Sequence, residues 1–239
     1  MGVKEFSLYA TPPHDCSYLD GRQATTVFVD PYVPIDVNLY QSLAIHGFRR
    51  SGEYLYRPQC EHCQACIAVR LPVNEFKPRR TQKRVWNKNQ DLKATVQPAV
   101  FKQEHFTLYS RYLASRHKDA GMDNPTPTEY LEFLASSWSK TFFYEIRLEN
   151  QLLAIAVVDV FENGLSAVYT FFDPDYNQRS LGVYAILFEI DLAKKLGLEY
   201  LYLGYWIADC RKMAYKIDYQ PLEYYVGDEW QKQPPNIAI

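Results

Sequence analysis

The chain has 239 residues, 47% apolar and 23% charged, with a net charge of −2. Such a length builds one large domain or two compact ones around a real core, and no apolar run approaches the roughly 18 residues of a membrane span. Five cysteines, an odd count, and a start without a hydrophobic signal region argue against a secreted disulfide framework and lead us to expect a cytoplasmic protein with no membrane partner.

In chain order, residues 24–31 (ATTVFVDP) predict a strand, and 38–52 (NLYQSLAIHGFRRSG) a short helix stopped at Gly47. Residues 66–73 (CIAVRLPV) predict a second strand and 79–92 (RRTQKRVWNKNQDL) a basic helix. A possible strand at 95–100 precedes a helix over 103–119, where Phe106, Tyr109, Tyr112 and Leu113 share one face. Thr128 is the expected N-cap of a helix over 129–140. Strands follow at 141–149, 151–161 and 165–172, the second pair joined through Asn163-Gly164, a tight-hairpin signal. Residues 180–197 predict a helix with Lys194 and Lys195 in its last turn and Gly197 as its stop. A strand over 199–207 makes 165–205 a β-α-β crossover, right-handed by default. A short helix near 210–216 and a last strand at 222–226 complete the pattern. An antiparallel meander feeding a β-α-β unit is the element order of the acetyltransferase-like (GNAT) fold. We therefore expect an α+β chain with a GNAT-like domain over 125–239 and a cysteine-containing, loop-rich region over 1–124.

Cys60, Cys63 and Cys66 stand on a Cys-x2-Cys-x2-Cys repeat. Together with Cys16 they are candidate ligands for a structural zinc ion or iron–sulfur cluster, which needs four donors. The other reading is that they are small buried hydrophobes. Residues 77–93 hold seven Lys or Arg against one Asp. Arg79, Arg80, Lys83 and Arg84, with Trp86 as a stacking platform, are candidates for structured RNA rather than DNA. A solvated helix face is the alternative. At residues 179–184 (RSLGVY), Tyr184 stands where a coenzyme A cradle needs Gly or Ala. No Walker A loop is present. Neither coenzyme A nor ATP is expected as acyl activator, and an ester carried on RNA would need neither.

Residues 40–58 (YQSLAIHGFRRSGEYLYRP), 66–92, 171–207 and 210–224 together resemble the arginyl-tRNA–protein transferase family, and within it the bacterial aspartate/glutamate leucyltransferase branch. The resemblance implies transfer of leucine from leucyl-tRNA to proteins starting with Asp or Glu, which marks them for N-degron (N-end rule) degradation. Nothing in the residues selects leucine over arginine. A non-catalytic RNA-binding module remains an alternative reading, although it leaves the C-terminal half without a task. In eukaryotic relatives two Cys pairs form a metal or cluster site. Here Leu19 replaces the second cysteine of the first pair.

In such a reaction an α-amine attacks an aminoacyl ester, and no further cofactor is required. With a pKa of roughly 8, about 10% of the amine is neutral at pH 7, a cost of only about 1.4 kcal/mol. Positioning and oxyanion stabilisation should outweigh strong basicity. Asp173 is the candidate proton acceptor, or else a turn residue before Pro174. Tyr205, or an N–H near Gly204, is the candidate facing the oxyanion. The acceptor's acidic side chain needs a cation. Arg179, Lys212 and Lys216 are the candidates by sequence proximity, with Arg49 and Arg50 serving instead or holding the tRNA end.

Overall fold

The computed structural model describes residues 6–116 and 125–235. The expected boundary between 124 and 125 and the last residues of the helix predicted over 103–119 therefore reach outside the described residues.

The first layer is small. It contains β1 (Leu8–Ala10), the short pair β2 (His14–Asp15) and β3 (Gln23–Ala24), then β4 (Thr26–Val29), α1 (Val37–Ile45), β5 (Arg49–Ser51) and β6 (Tyr54–Pro58). Helix α1 begins where the Asp36 carboxylate accepts from the Leu39 N–H at 2.8 Å, and it stops before Gly47, whose φ of +81° suits glycine. Strands β1, β4, β6 and β5 form a four-stranded sheet in that order. Val27 and Leu55 of this sheet and Tyr40 and Leu43 of α1 meet Phe161 and Tyr202 of the second layer.

The second layer runs through β7 (Ile67–Pro72), α2 (Arg80–Lys88), β8 (Leu92–Pro98), α3 (Gln103–Arg116), α4 (Pro127–Leu134), β9 (Thr141–Leu148), β10 (Gln151–Val160), β11 (Gly164–Phe172), α5 (Leu181–Lys195), β12 (Tyr200–Trp206), α6 (Arg211–Ala214), β13 (Glu223–Val226) and β14 (Glu229–Gln231). The eight strands are ordered β14-β13-β7-β12-β11-β10-β9-β8. This is a mixed α/β protein on one large sheet, and that sheet takes β7 and β8 from before residue 124. Alternation along β10 sends Ala154, Ala156 and Val158 into the core under α5, and Ile155 and Val157 into the core under α3 and α4. The cap of α4 corrects the expected one. Thr126, not Thr128, accepts from the Glu129 N–H, while Glu129 reaches back to the Thr126 N–H in a capping box. Among the described residues no helix is long and apolar enough to cross a membrane.

One irregularity in this sheet positions the site. Parallel strands β11 and β12 pair only through Gly164–Ser166 and Tyr200–Tyr202. Beyond that point β11 stays with β10 to Phe172 and β12 stays with β7 to Trp206, with a register shift between Tyr202 and Gly204. The two strands leave each other's hydrogen bonds, and a gap opens in the middle of the sheet. Bulges of this kind gather next to active sites.

Candidate functional site

Arg49 fills the gap. Strand β5 alternates, so Arg49 and Arg50 point to opposite faces. The Arg49 Nη2 donates to the Ala167 carbonyl of β11 at 2.7 Å, and its side chain lies along Gly204 of β12. Gly204 has a φ of +77°, and a Cβ there would stand 3.4 Å from Arg49 Nε. Glycine thus serves both the backbone turn and the close approach. Among the described residues Arg49 has no carboxylate partner.

Two buried ionisable groups flank this guanidinium. Lys216 follows α6, and its Nζ donates to the Tyr205 carbonyl at 2.6 Å and approaches Met213 Sδ at 3.4 Å. Burial, and then the Arg49 charge, bring its pKa down to about 7. Glu189 of α5 is fully buried, and among the described residues neither carboxylate oxygen has a hydrogen-bond partner. Burial pushes its pKa up to about 8, with Arg49 pulling the other way. Sequence reasoning missed Glu189. The available signal was a lone carboxylate on the buried stripe of α5, four residues from both Ala185 and Ala193.

Several sequence candidates are engaged elsewhere in this structure. Asp173 is buried, caps the turn after β11 through the Asp175 N–H, and is held by Arg111 through both oxygens, at 2.9 and 3.2 Å. In this structure it serves as the turn residue, its carboxylate paired with Arg111. Arg179 forms a two-pronged pair with Asp91 at 2.9 and 2.8 Å and braces α5 against the end of α2. Arg50 is buried against Asp159 at 2.6 and 2.8 Å. Both guanidinium groups are thus paired with a carboxylate in this structure. The Tyr205 hydroxyl donates to the carbonyls of Gly47 and Tyr56 at 2.9 and 3.3 Å, and its pKa is raised well above normal by burial. A hydroxyl so engaged faces the small sheet. Lys212 is exposed on α6.

The basic helix divides in the same way. Trp86 is half-buried and packs against the core, its ring 5.6 Å from that of Tyr184. Arg79 pairs with Asp218 at 2.6 Å. Arg80, Lys83 and Arg84 are exposed and have no carboxylate partner among the described residues.

Cys16, Cys60, Cys63 and Cys66 come together on the wall of one cavity of about 370 Å³, shared with Tyr205 and Tyr225. Burial, with the neighbouring thiols adding to it, pushes the Cys66 thiol up to about 12. Four thiols are the right donor chemistry for zinc or an iron–sulfur cluster. Among the described residues, however, no group of three or more His, Cys, Asp or Glu is disposed to hold a metal ion as the side chains stand. Cys60 Sγ instead receives the Thr25 N–H at 3.5 Å, and Leu19 packs with Cys63, Cys66 and Cys210 in a small apolar cluster. No step is drawn through a metal.

A gap between parallel strands, occupied by an unpaired cation and set beside a cavity, marks the candidate site. Family descriptions match both halves of the chain. Residues 14–84 match "Arginine-tRNA-protein transferase, N terminus" and residues 104–226 match "Arginine-tRNA-protein transferase, C terminus". The chain belongs to the arginine-tRNA-protein transferase family. Within it, the chain is 53% identical to the aspartate/glutamate leucyltransferase of Hahella chejuensis, over 95% of this chain and 97% of that one. It is 51% identical to the enzyme of the same name from Saccharophagus degradans, over 95% and 97%. For that of Chromohalobacter salexigens the identity is 48%, over 98% and 96%.

Proposed function

We propose that this chain moves leucine from leucyl-tRNA onto the N-terminal α-amine of proteins beginning with Asp or Glu, marking them for N-degron degradation. The observation that carries this reading is identity of about half of all positions, over nearly the whole length, with relatives named for that activity. The site supplies a physical account. The amine nitrogen forms a bond to the aminoacyl carbonyl carbon, the ester bond to the ribose oxygen breaks, and the amine proton ends on that oxygen. The ester is already activated, so the two substrates suffice. Arg49, placed in the gap without a carboxylate of its own, is our candidate for the acceptor's acidic side chain. Backbone around Gly204 is our candidate for the developing oxyanion. Arg80, Lys83 and Arg84 are the exposed charges offered to tRNA phosphates.

In this reading the sheet over 125–239, with β7 and β8 added, is a GNAT-like transferase body whose strands part at the reaction centre, and residues 1–124 supply the tRNA-facing part. We place the protein in the cytoplasm, where charged tRNA is found. The test is transfer of labelled leucine from leucyl-tRNA to peptides differing only in residue one. Asp- and Glu-starting peptides should be modified and Ala-starting ones left alone. Equal transfer from arginyl-tRNA would overturn the choice of donor, and no transfer at all would overturn the reading.

A further inference from the structure

The cysteine-walled cavity is left without a task once a metal is set aside. Its about 370 Å³ lies within the roughly 300–1,000 Å³ of small-molecule sites. One side is Tyr205 and Ala68, paired across β12 and β7. Another is the Tyr225 ring, held 5.2 Å from Trp230 and closing on Gly47, where a Cβ would stand 3.0 Å from Tyr225 Cδ1. Two half-buried cations reach it. Arg57 donates to the His46 carbonyl at 3.2 Å, Arg22 makes no side-chain hydrogen bond, and neither has a carboxylate partner among the described residues. Asp228 accepts from the Tyr225 hydroxyl at 3.1 Å and is otherwise exposed.

We propose that this cavity is a nucleoside subsite that seats the terminal adenosine of the tRNA, with its phosphate on Arg22 and Arg57 and its base against Tyr225. An aromatic face, a guanidinium pair and one acceptor carboxylate are the groups that recognise a flat base, a phosphate and a sugar hydroxyl or ring amine. An acidic peptide start would also suit the two arginines. It leaves the aromatic wall and most of the volume unused, and Arg49 already offers it a cation in the gap. Position favours the nucleotide too: Tyr205 is the residue after Gly204, so a ribose ester seated here lies one residue from the gap.

The inference rests on the transfer reading, but part of its test does not. Adenosine 5′-monophosphate should bind the full-length protein in a calorimetric titration, and Arg22→Glu should weaken that binding about tenfold, as loss of one phosphate contact does. In the transfer assay it should compete with leucyl-tRNA and not with peptide. Arg22→Glu removes no side-chain hydrogen bond among the described residues, and it should raise the KM for leucyl-tRNA with kcat and the peptide KM unchanged. Cys63→Phe, which narrows the cavity, should do the same. Absence of nucleotide binding, or a rise in the peptide KM alone, would overturn the subsite while leaving the transfer activity standing. Nucleotide binding without any transfer would instead remove the functional reading.

Discussion

Two polar clusters sit under the small sheet, fed by neighbouring residues of one strand. Around Arg50 nearly every group is answered: the Asp159 carboxylate receives Arg50 at 2.6 and 2.8 Å, Thr141 at 2.6 Å and Tyr40 at 3.0 Å. Arg50 Nη1 alone in this cluster lacks a partner among the described residues. Around Arg49 the opposite holds. A guanidinium with one carbonyl contact stands near a carboxyl with none and an amine that meets only a carbonyl and a thioether. A buried charge that is fully paired fixes packing, whereas buried groups left unpaired cost stability and persist where something else uses them. The first cluster ties the two sheets together. The second is where chemistry is expected.

The sharpest way to break the contrast is Asp159→Ala. It strands Arg50 in the core, and unfolding in urea should show a loss of about 3–5 kcal/mol. A loss below about 1 kcal/mol would mean that water reaches the cluster. Arg49→Lys should do the reverse. Stability should move by less than about 1 kcal/mol, while kcat/KM for Asp-starting peptides falls about a hundredfold, because a lysine cannot replace a two-pronged carboxylate contact. If stability drops and the rate does not, Arg49 is a second strut and the acidic side chain is read elsewhere.

Most of the sheet is legible from periodicity: β9, β10 and β11 appear as hydrophobic runs divided by turn residues, and α5 ends at the expected lysines and Gly197. The site was less legible, for a reason visible in Arg49 and Arg50. Sequence gives both the same chemistry, and only the pairing of β5 with β6 decides which enters a saturated pocket and which reaches the gap. Asp173 and Arg179 misled for the same reason, since their partners Arg111 and Asp91 lie 62 and 88 residues away. Placement of β7 between β12 and β13 is also non-local. An antiparallel insertion beside a parallel crossover leaves no mark on the strand's own alternation.

The unanswered cluster should also reveal itself through pH, as the smallest of these effects at any one step. Glu189 is raised from 4.5 to about 8, so the unfolded chain ionises first. The stability it contributes is complete below about pH 4.5 and is lost as pH rises towards 8. Lys216 is lowered from 10.5 to about 7, so its contribution is complete above 10.5 and is lost as pH falls towards 7. In the range from about pH 5 to 7 the Glu189 slope dominates the pair, and Glu189→Gln supplies a neutral side chain of the same shape. The variant should gain on the native protein by up to about 1.4 kcal/mol per pH unit across that range, read from urea unfolding at each pH. Asp159→Asn offers no such signature, because it breaks a satisfied pair instead of relieving an unpaired carboxyl. A flat difference for Glu189→Gln would show that the carboxyl is ionised in the fold and paired with Arg49, and the distinction between the two clusters would collapse into two ion pairs of different depth.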